Sequence, residues 1–218
     1  MSLPLEAGER RFGIPQPRAF VKRSIDFGGA AILMVMLWWL IVLLALAARA
    51  DTGNPGLFRQ RRIGLYGRPF TLIKIRTMRP SVKITTHVTA AGDPRITRLG
   101  AFLRRTKLDE LPQLLNVLRG DMSFVGPRPD VEEMYRDLPL EWRRILNVRP
   151  GVTGPGSLAF RNEEQILAGQ DDPEAYNRDI IFPAKVRMTL DYIDNYRLAT
   201  DFILMGRTLV DWKSGARL

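Results

Sequence analysis

The chain has 218 residues, a net charge of +10 at pH 7, no cysteine and one histidine, His87. Those numbers exclude disulfides, thiolate chemistry and Cys-based zinc sites, and leave no material for His-based triads or His-rich metal sites. The positive balance points to anionic partners (phosphates, acidic headgroups or nucleic acid) or to a merely solvated basic surface.

The length suits one membrane segment and one catalytic-sized domain. Residues 1–21 read as a juxtamembrane segment and 22–50 as a membrane helix. From Phe27 to Ala48 no residue is charged, and these 22 residues extend about 33 Å as a helix, enough to cross a hydrocarbon core. The apolar region is too long for a signal peptide, despite the A-x-A-like Ala48-Arg49-Ala50. Arg10, Arg11, Arg18, Lys22 and Arg23 precede it, and Arg49, Arg59, Arg61, Arg62 and Arg68 follow it. With cations on both flanks, the positive-inside rule selects no orientation. Two topologies stay open: a plain span, or a bent, re-entrant helix with both flanks on the cytoplasmic face. Trp38-Trp39 is out of place at the centre of a span, since Trp favours interfaces. Gly28-Gly29 offers an early loosening, but no proline forces a bend.

After a turn-rich connector, Asp51 to Gly56, two β-rich runs flank Gly64-Leu65-Tyr66-Gly67 and predict a hairpin. Alternation puts Leu72, Lys74 and Arg76 on one face of its second strand, and Thr71, Ile73, Ile75 and Thr77 on the other. Lys74 and Arg76, beside Arg59 to Arg62, suit a phosphate wall or a surface lying on acidic lipid. Pro80 to Gly92 is polar and irregular, a mobile loop by composition. Ile96, Leu99, Phe102 and Leu103 then recur at helical spacing as a core face, and Arg95, Arg98, Arg104 and Arg105 crowd the same segment as a candidate anion site.

Leu108, Leu111, Leu115 and Leu118 predict an amphipathic helix. Pro112 fits only its first turn, so Asp109 and Glu110 fall at the N-terminus, where free N–H groups favour anions. Taken alone, the pair reads as a helix cap, a role worth about 1 kcal/mol. Arg104 and the Gly126-Pro127-Arg128-Pro129 turn widen that reading. Carboxylates, guanidinium groups and a helix start together can hold a diphosphate for attack, commonly with Mg²⁺. Pro127 and Pro129 pre-set the backbone that aims Arg128. Glu141 to Arg149 predicts a short amphipathic helix, interfacial or buried. Asp171-Asp172-Pro173 marks a helix start, and Lys185 to Trp212 holds one or two helices with Leu190, Ile193, Ile203, Leu204 and Leu209 apolar.

Asp109-Glu110-Leu111-Pro112-Gln113, followed by the run from Asn116 through Gly120-Asp121 to Pro129, resembles the bacterial sugar transferases. These are the monotopic phosphoglycosyl transferases acting on polyprenol phosphates. The resemblance runs from Lys22 to about Leu209 and includes Lys22-Arg23 with Asp26, Phe58-Arg59-Gln60, Lys74 to Met78, Asp93 to Thr97, and Arg149 to Gly154. It implies an α/β chain, mostly helical with a small β-hairpin, in which a re-entrant membrane helix anchors a catalytic domain of residues 51–218 to the cytoplasmic face of the bacterial inner membrane. It implies transfer of a sugar-1-phosphate from a UDP-sugar to undecaprenyl phosphate through a covalent phosphosugar on Asp109. Glu110 would bind Mg²⁺, and Lys74, Arg76, Arg95, Arg104, Pro127, Arg128, Pro129 and Arg161 would form the substrate site. Membrane lipid and a second copy of the chain are the further partners it implies. Two departures stand out: Trp38-Trp39 replaces the family's Ser-Pro pair, and Pro155 to Phe160 replaces its usual loop before Arg161-Asn162. The rival class is a membrane-anchored basic module for nucleic acid or acidic lipid. It leaves the carboxylates unexplained, and few aromatics sit among the basic residues, which argues against single-strand binding.

Overall fold

A computed structural model describes residues 13–80, 91–136 and 138–214. Arg10, Arg11, His87 and most of the expected Pro80–Gly92 loop lie outside the described residues. Helix α1 (Gln16–Thr52) is longer at both ends than the predicted membrane segment. Pro17 sits in its first turn, where a missing N–H costs nothing. Gly53, in the left-handed region at φ 70°, ends it by donating to Arg49 O, a conformation that suits glycine. Every residue between is helical. Neither Gly28-Gly29 nor Trp38-Trp39 interrupts it, so the bend expected for re-entry is absent from this helix.

The predicted hairpin forms from β1 (Leu57–Ile63) and β2 (Pro69–Ile75), antiparallel with Leu57 opposite Ile75 and Ile63 opposite Pro69. A tight turn closes its loop, with Tyr66 at φ 59° and Gly67 at φ 71° in the left-handed region. Thr97 caps α2 (Arg98–Arg105) by accepting from Gly100 N. Leu103 is fully buried there, whereas Phe102, expected in the core, is 46% exposed. A 3₁₀ turn, Leu108–Glu110, precedes α3 (Gln113–Arg119). Leu114 and Val117 are buried, and of the predicted leucine stripe Leu118 packs on the same cluster while Leu108 and Leu111 pack on the neighbouring one from the preceding turn.

β3 (Ser123–Val125) pairs in parallel with β4 (Gly151–Thr153), a second two-stranded sheet that periodicity did not reveal. Between them lie α4 (Glu132–Arg136) and a 3₁₀ segment, Leu140–Asn147. Ile145 and Leu146 of that segment are buried with Ile63, Tyr135 and Phe182, and Trp142 packs on the same cluster. The open choice for residues 141–149 thus resolves as core. Five helices finish the chain with a π-helical turn, Asn177–Ile181, among them: α5 (Pro155–Ala159), α6 (Glu163–Ala168), α7 (Pro173–Tyr176), α8 (Phe182–Asp194) and α9 (Leu198–Ser214). Asp172 caps α7 as its sequence suggests, accepting from Ala175 N. The molecule is mostly helical with two small sheets, and one long apolar N-terminal helix suits a monotopic anchor.

α1 is not set apart from the rest. Ala30 joins Leu72, Leu114, Val117 and Met122 in one cluster, and Ile41 and Ala48 join Ile75 and Leu103 in the next. At its N-terminal end Lys22 Nζ lies 2.6 Å from Asp201 Oδ2, Tyr192 OH donates to Asp201 Oδ1 at 2.5 Å, and Tyr196 OH to Oδ2 at 3.2 Å. Burial first, and then the Asp201 charge, push both tyrosines well above their ordinary pKa. Asp26 Oδ1 accepts from Phe124 N, which fastens the same end of α1 to β3.

Candidate active site

Lys107 adopts φ 52°, an unusual conformation for a residue with a side chain. It turns the chain sharply between α2 and the 3₁₀ turn. Residues three apart eclipse in 3₁₀ geometry, so Leu108 and Leu111 share one side, and both pack on the cluster of Ile41, Ala48, Ile75 and Leu103. Asp109 and Glu110 occupy the other sides and are nonetheless buried, at 6% and 8% exposure. Asp109 is no helix cap. Its buried Oδ1 has no hydrogen-bond partner, and the α-helix begins only after Pro112.

Two cations converge on Glu110 from distant parts of the chain. Lys74 Nζ, on β2, lies 3.6 Å from Glu110 Oε1, and Arg128 Nη2 donates to that oxygen at 3.2 Å. The turn carrying Arg128 is fixed on both sides. Gly126 N donates to Thr153 O at 3.0 Å and Gly151 N to Pro127 O at 2.8 Å, while Tyr135 OH accepts from Asp130 N at 3.2 Å. A Cβ on Gly126 would sit 2.2 Å from Arg149 O, so this close approach requires glycine. Asn116 is fully buried and holds β2 against α3: its Oδ1 accepts from Ile73 N at 3.2 Å, and its Nδ2 donates to Thr71 O at 2.7 Å and Asp121 Oδ2 at 3.2 Å.

The adjacent carboxylates are driven apart electrostatically. Burial, and then the neighbouring Glu110 charge, push Asp109 up to about 6 despite Lys74, Lys107 and Arg104. Burial pushes Glu110 upward too, but Arg128, Lys74 and Lys107 outweigh it and hold that carboxyl at about 2. Lys74 is lowered by burial, with Glu110 opposing, and Arg128 is raised chiefly by Glu110. One carboxylate is thus permanently ionised and matched by cations, while the other is desolvated and proton-hungry. Such a divergence is typical of acid–base or nucleophilic sites.

The remaining expected residues divide. Arg104 donates to Thr77 Oγ1 at 3.1 Å and to Glu164 Oε1 at 2.6 Å, and its charge acts on Asp109. Pro127 and Pro129 frame Arg128. Arg76 donates to Pro55 O at 2.8 Å and lies over the Phe58 ring, and Arg95 forks onto Asp93 at 2.6 Å. Arg161 lines an open cleft with Leu158, Asn162 and Gln165. Glu164, Asn116 and Tyr135 were not foreseen. A lone Asn in an apolar helical run was a usable signal of a buried polar clamp. Nothing in the sequence pairs Glu164 with a residue sixty positions earlier.

No cluster of three His, Cys, Asp or Glu exists among the described residues. Mg²⁺ does not need one, because it is commonly held by one or two carboxylates plus substrate phosphates. Ionised Glu110 and the partnerless Asp109 Oδ1 fit that donor set.

The family model described as bacterial sugar transferase matches residues 17–214. The chain is 37% identical over 210 residues to the UDP-glucose:undecaprenyl-phosphate glucose-1-phosphate transferase of Caulobacter vibrioides, covering 91% of this chain and 73% of that one. It is 41% identical over 153 residues to the Escherichia coli enzyme of the same name, covering 67% of this chain but 33% of the relative. It is 35% identical over 198 residues to the exopolysaccharide production protein PSS of Rhizobium leguminosarum, covering 87% and 94%. A match over nearly the whole chain, on a fold that gathers the motif's carboxylates and Arg128 at one place, shows that the chain belongs to the bacterial sugar transferase family.

Proposed function

We propose that the chain transfers a sugar-1-phosphate from a UDP-sugar to undecaprenyl phosphate, releasing UMP and starting a glycoconjugate or polysaccharide on its lipid carrier. The observation that carries this reading is the Asp109–Glu110 pair: a buried carboxylate oxygen without a partner beside a carboxylate held ionised by two cations. The relatives' names supply the substrate classes.

In the first step an Asp109 carboxylate oxygen attacks the phosphorus that bears the sugar. The bond from that phosphorus to the bridging oxygen breaks, and UMP leaves with the electron pair. In the second step an oxygen of the polyprenol phosphate attacks the same phosphorus and displaces the Asp109 carboxylate, giving the polyprenol-diphosphate sugar. Desolvation favours the attack, since a carboxylate stripped of water and hydrogen bonds is a stronger nucleophile. Arg128 and Lys74 lie where they can accept phosphate charge, with Glu110 orienting both. Mg²⁺ held by Glu110 would supply further neutralisation of the diphosphate. Arg104 exchanges Glu164 for substrate phosphate in this reading, and Arg161 with its cleft adjoins the segment where the family pattern departs, Pro155 to Phe160. The reaction takes place at the cytoplasmic face of the bacterial inner membrane, with both flanks of α1 on that side.

The test is UMP release from a panel of UDP-sugars with undecaprenyl phosphate and Mg²⁺, together with intact-protein mass spectrometry. With UDP-sugar alone the protein should gain the mass of one phosphosugar, and Asp109→Asn should abolish both adduct and turnover, by on the order of 10³-fold or more. Normal turnover by Asp109→Asn would overturn the covalent route. No UMP from any sugar would overturn the activity.

A further inference from the structure

We propose that the open cleft between α5 and α6 holds the sugar of the UDP-sugar and selects sugars that carry an acetamido group. The inference rests on the phosphosugar transfer proposed above. It adds where the sugar lies and what chemistry reads it.

The cleft is made by one short helix with two unlike sides. At about 100° per residue, Asn162, Gln165 and Ile166 fall on one side of α6, and Glu163, Glu164 and Leu167 on the other. The second side is pinned. Leu167 is 2% exposed, and Glu163 Oε2 lies 2.7 Å from Lys185 Nζ on α8. Glu164 Oε1 accepts from Arg104 at 2.6 Å, and its backbone O accepts from Ala91 N at 2.9 Å. The other wall is held as well: a Cβ on Gly156 of α5 would lie 3.0 Å from Lys185 Cβ, and the Phe160 ring lies 5.9 Å from Lys185 Nζ. Between these fixed walls the first side of α6, with Leu158, Ala159 and Arg161, lines a cleft of about 580 Å³, within the range of small-molecule sites. Asn162 stands at the N-cap position of α6 without capping it, although Asn is a favoured cap. Its side chain lines the cleft instead.

The pins that fix α6 also bring it to the reacting groups. Arg104, which Glu164 holds, acts on Asp109, and Glu163 is one of the charges that raise Arg128. α6 therefore flanks the carboxylate pair and the Arg128 turn. In an in-line displacement the attacking Asp109 oxygen and the departing UMP oxygen stand on opposite sides of the phosphorus. The oxygen that carries the sugar is then equatorial, and the sugar projects sideways from the line of attack. A cleft on a helix that flanks the pair suits that direction.

The lining identifies the occupant. A uracil base asks for an aromatic face to stack on, and a polyprenol chain asks for a continuous apolar groove. No aromatic residue lines this cleft among the described residues, and three of its six lining residues are polar. A sugar meets both conditions. Arg161 only donates, while Asn162 and Gln165 each offer an NH₂ and one carbonyl. No carboxylate lines the cleft among the described residues, so N–H donors outnumber acceptors. A sugar hydroxyl both donates and accepts, but an acetamido carbonyl accepts twice and matches this surplus. Leu158, Ala159 and Ile166 give its methyl group an apolar floor. Leu158 and Ala159 belong to Pro155 to Phe160, the segment that departs from the family's usual loop.

The experiment uses the full chain in detergent micelles with Asp109→Asn, which leaves the UDP-sugar uncleaved, and Gln165→Cys, the one thiol in a chain with none of its own. The probe is UDP-glucosamine with a chloroacetyl group on its nitrogen, whose chloride a neighbouring thiolate displaces as the carbon–sulfur bond forms. We expect the intact protein to gain the mass of the probe less HCl at least about tenfold faster than chloroacetamide alkylates it at equal concentration. Excess UDP-N-acetylglucosamine should suppress that gain, and Ala50→Cys at the end of α1, used in place of Gln165→Cys, should not show it. Alkylation no faster than by chloroacetamide, or insensitive to the competitor, would overturn the subsite. In parallel, UMP release by the wild type compares UDP-N-acetylglucosamine with UDP-glucose, and UDP-N-acetylgalactosamine with UDP-galactose. Within each pair kcat/KM should favour the acetamido sugar by at least about tenfold. Asn162→Asp and Gln165→Glu trade N–H donors for acceptors, and each should erase most of that ratio. A wild-type preference for the hydroxy sugars, or an equal fall for all four in the variants, would overturn the selectivity. Alkylation as expected with no UMP from any sugar would count against the phosphosugar chemistry alone.

Discussion

A carboxylate withheld from water with one oxygen lacking any hydrogen-bond partner, as Asp109 is, carries a stability cost. Its raised pKa of about 6 sets the sign. A carboxyl that binds its proton more tightly folded than unfolded destabilises the fold once ionised. That penalty is complete above about pH 6 and gone below its unfolded value near 4. Asp109→Asn should therefore raise Tm by several degrees at pH 7.5, at most about 3 kcal/mol, and the gain should vanish toward pH 4. Calorimetry at the two pH values checks it. For the same reason wild-type UMP release should fall about tenfold per pH unit below about 6. The Glu110 charge is the second cause of the Asp109 shift, so residual turnover in Glu110→Gln should show that fall displaced to lower pH. The pair, Arg104 and Arg128 were visible in the sequence as chemistry-bearing types. Their opposite ionisation was not, because it depends on burial and on Lys74 arriving from a strand thirty-six residues away.

Among the elements, the sequence predicted the hairpin, α2, the start of α7 and one or two C-terminal helices, which form as α8 and α9, from periodicity and capping residues. It missed β3 and β4, whose three-residue strands are too short to show a period. These strands, with Asn116, hold the site. Asn116→Ala would strand the buried Ile73 N–H and free the Thr71 C=O, costing about 1–3 kcal/mol, and should lower the denaturation midpoint while loosening β2 from α3. Lys22→Met tests the other end of α1. It leaves Asp201 buried with two tyrosine donors and no cation, a loss of about 3–5 kcal/mol. Hydrogen exchange should then show faster opening at the start of α1 and in α9, with β1 and β2 protected as before. Arg76 of the expected basic wall and Arg95 of the expected anion cluster each hold a partner away from Glu110 in this structure. Strand alternation can assign a face to Arg76, but not the competing acceptor Pro55 O or the Phe58 ring.

At the scale of the molecule, the +10 balance and one apolar helix point to an anionic substrate met at a membrane surface. Removal of Mg²⁺ with EDTA should stop UMP release and leave the fold unchanged by circular dichroism, since Glu110 already has Arg128 and Lys74 as counter-charges. Restoring the metal should restore the rate. Composition, the uncharged run and the motif around Asp109 were enough to determine the family and a long apolar N-terminal helix, because hydrophobicity and residue chemistry are local properties of the chain. Which face of α1 is covered, whether that helix bends, and which cations reach Glu110 were decided only by the tertiary structure. Those outcomes depend on contacts between residues tens to nearly two hundred positions apart, as Lys74 with Glu110 and Lys22 with Asp201 show.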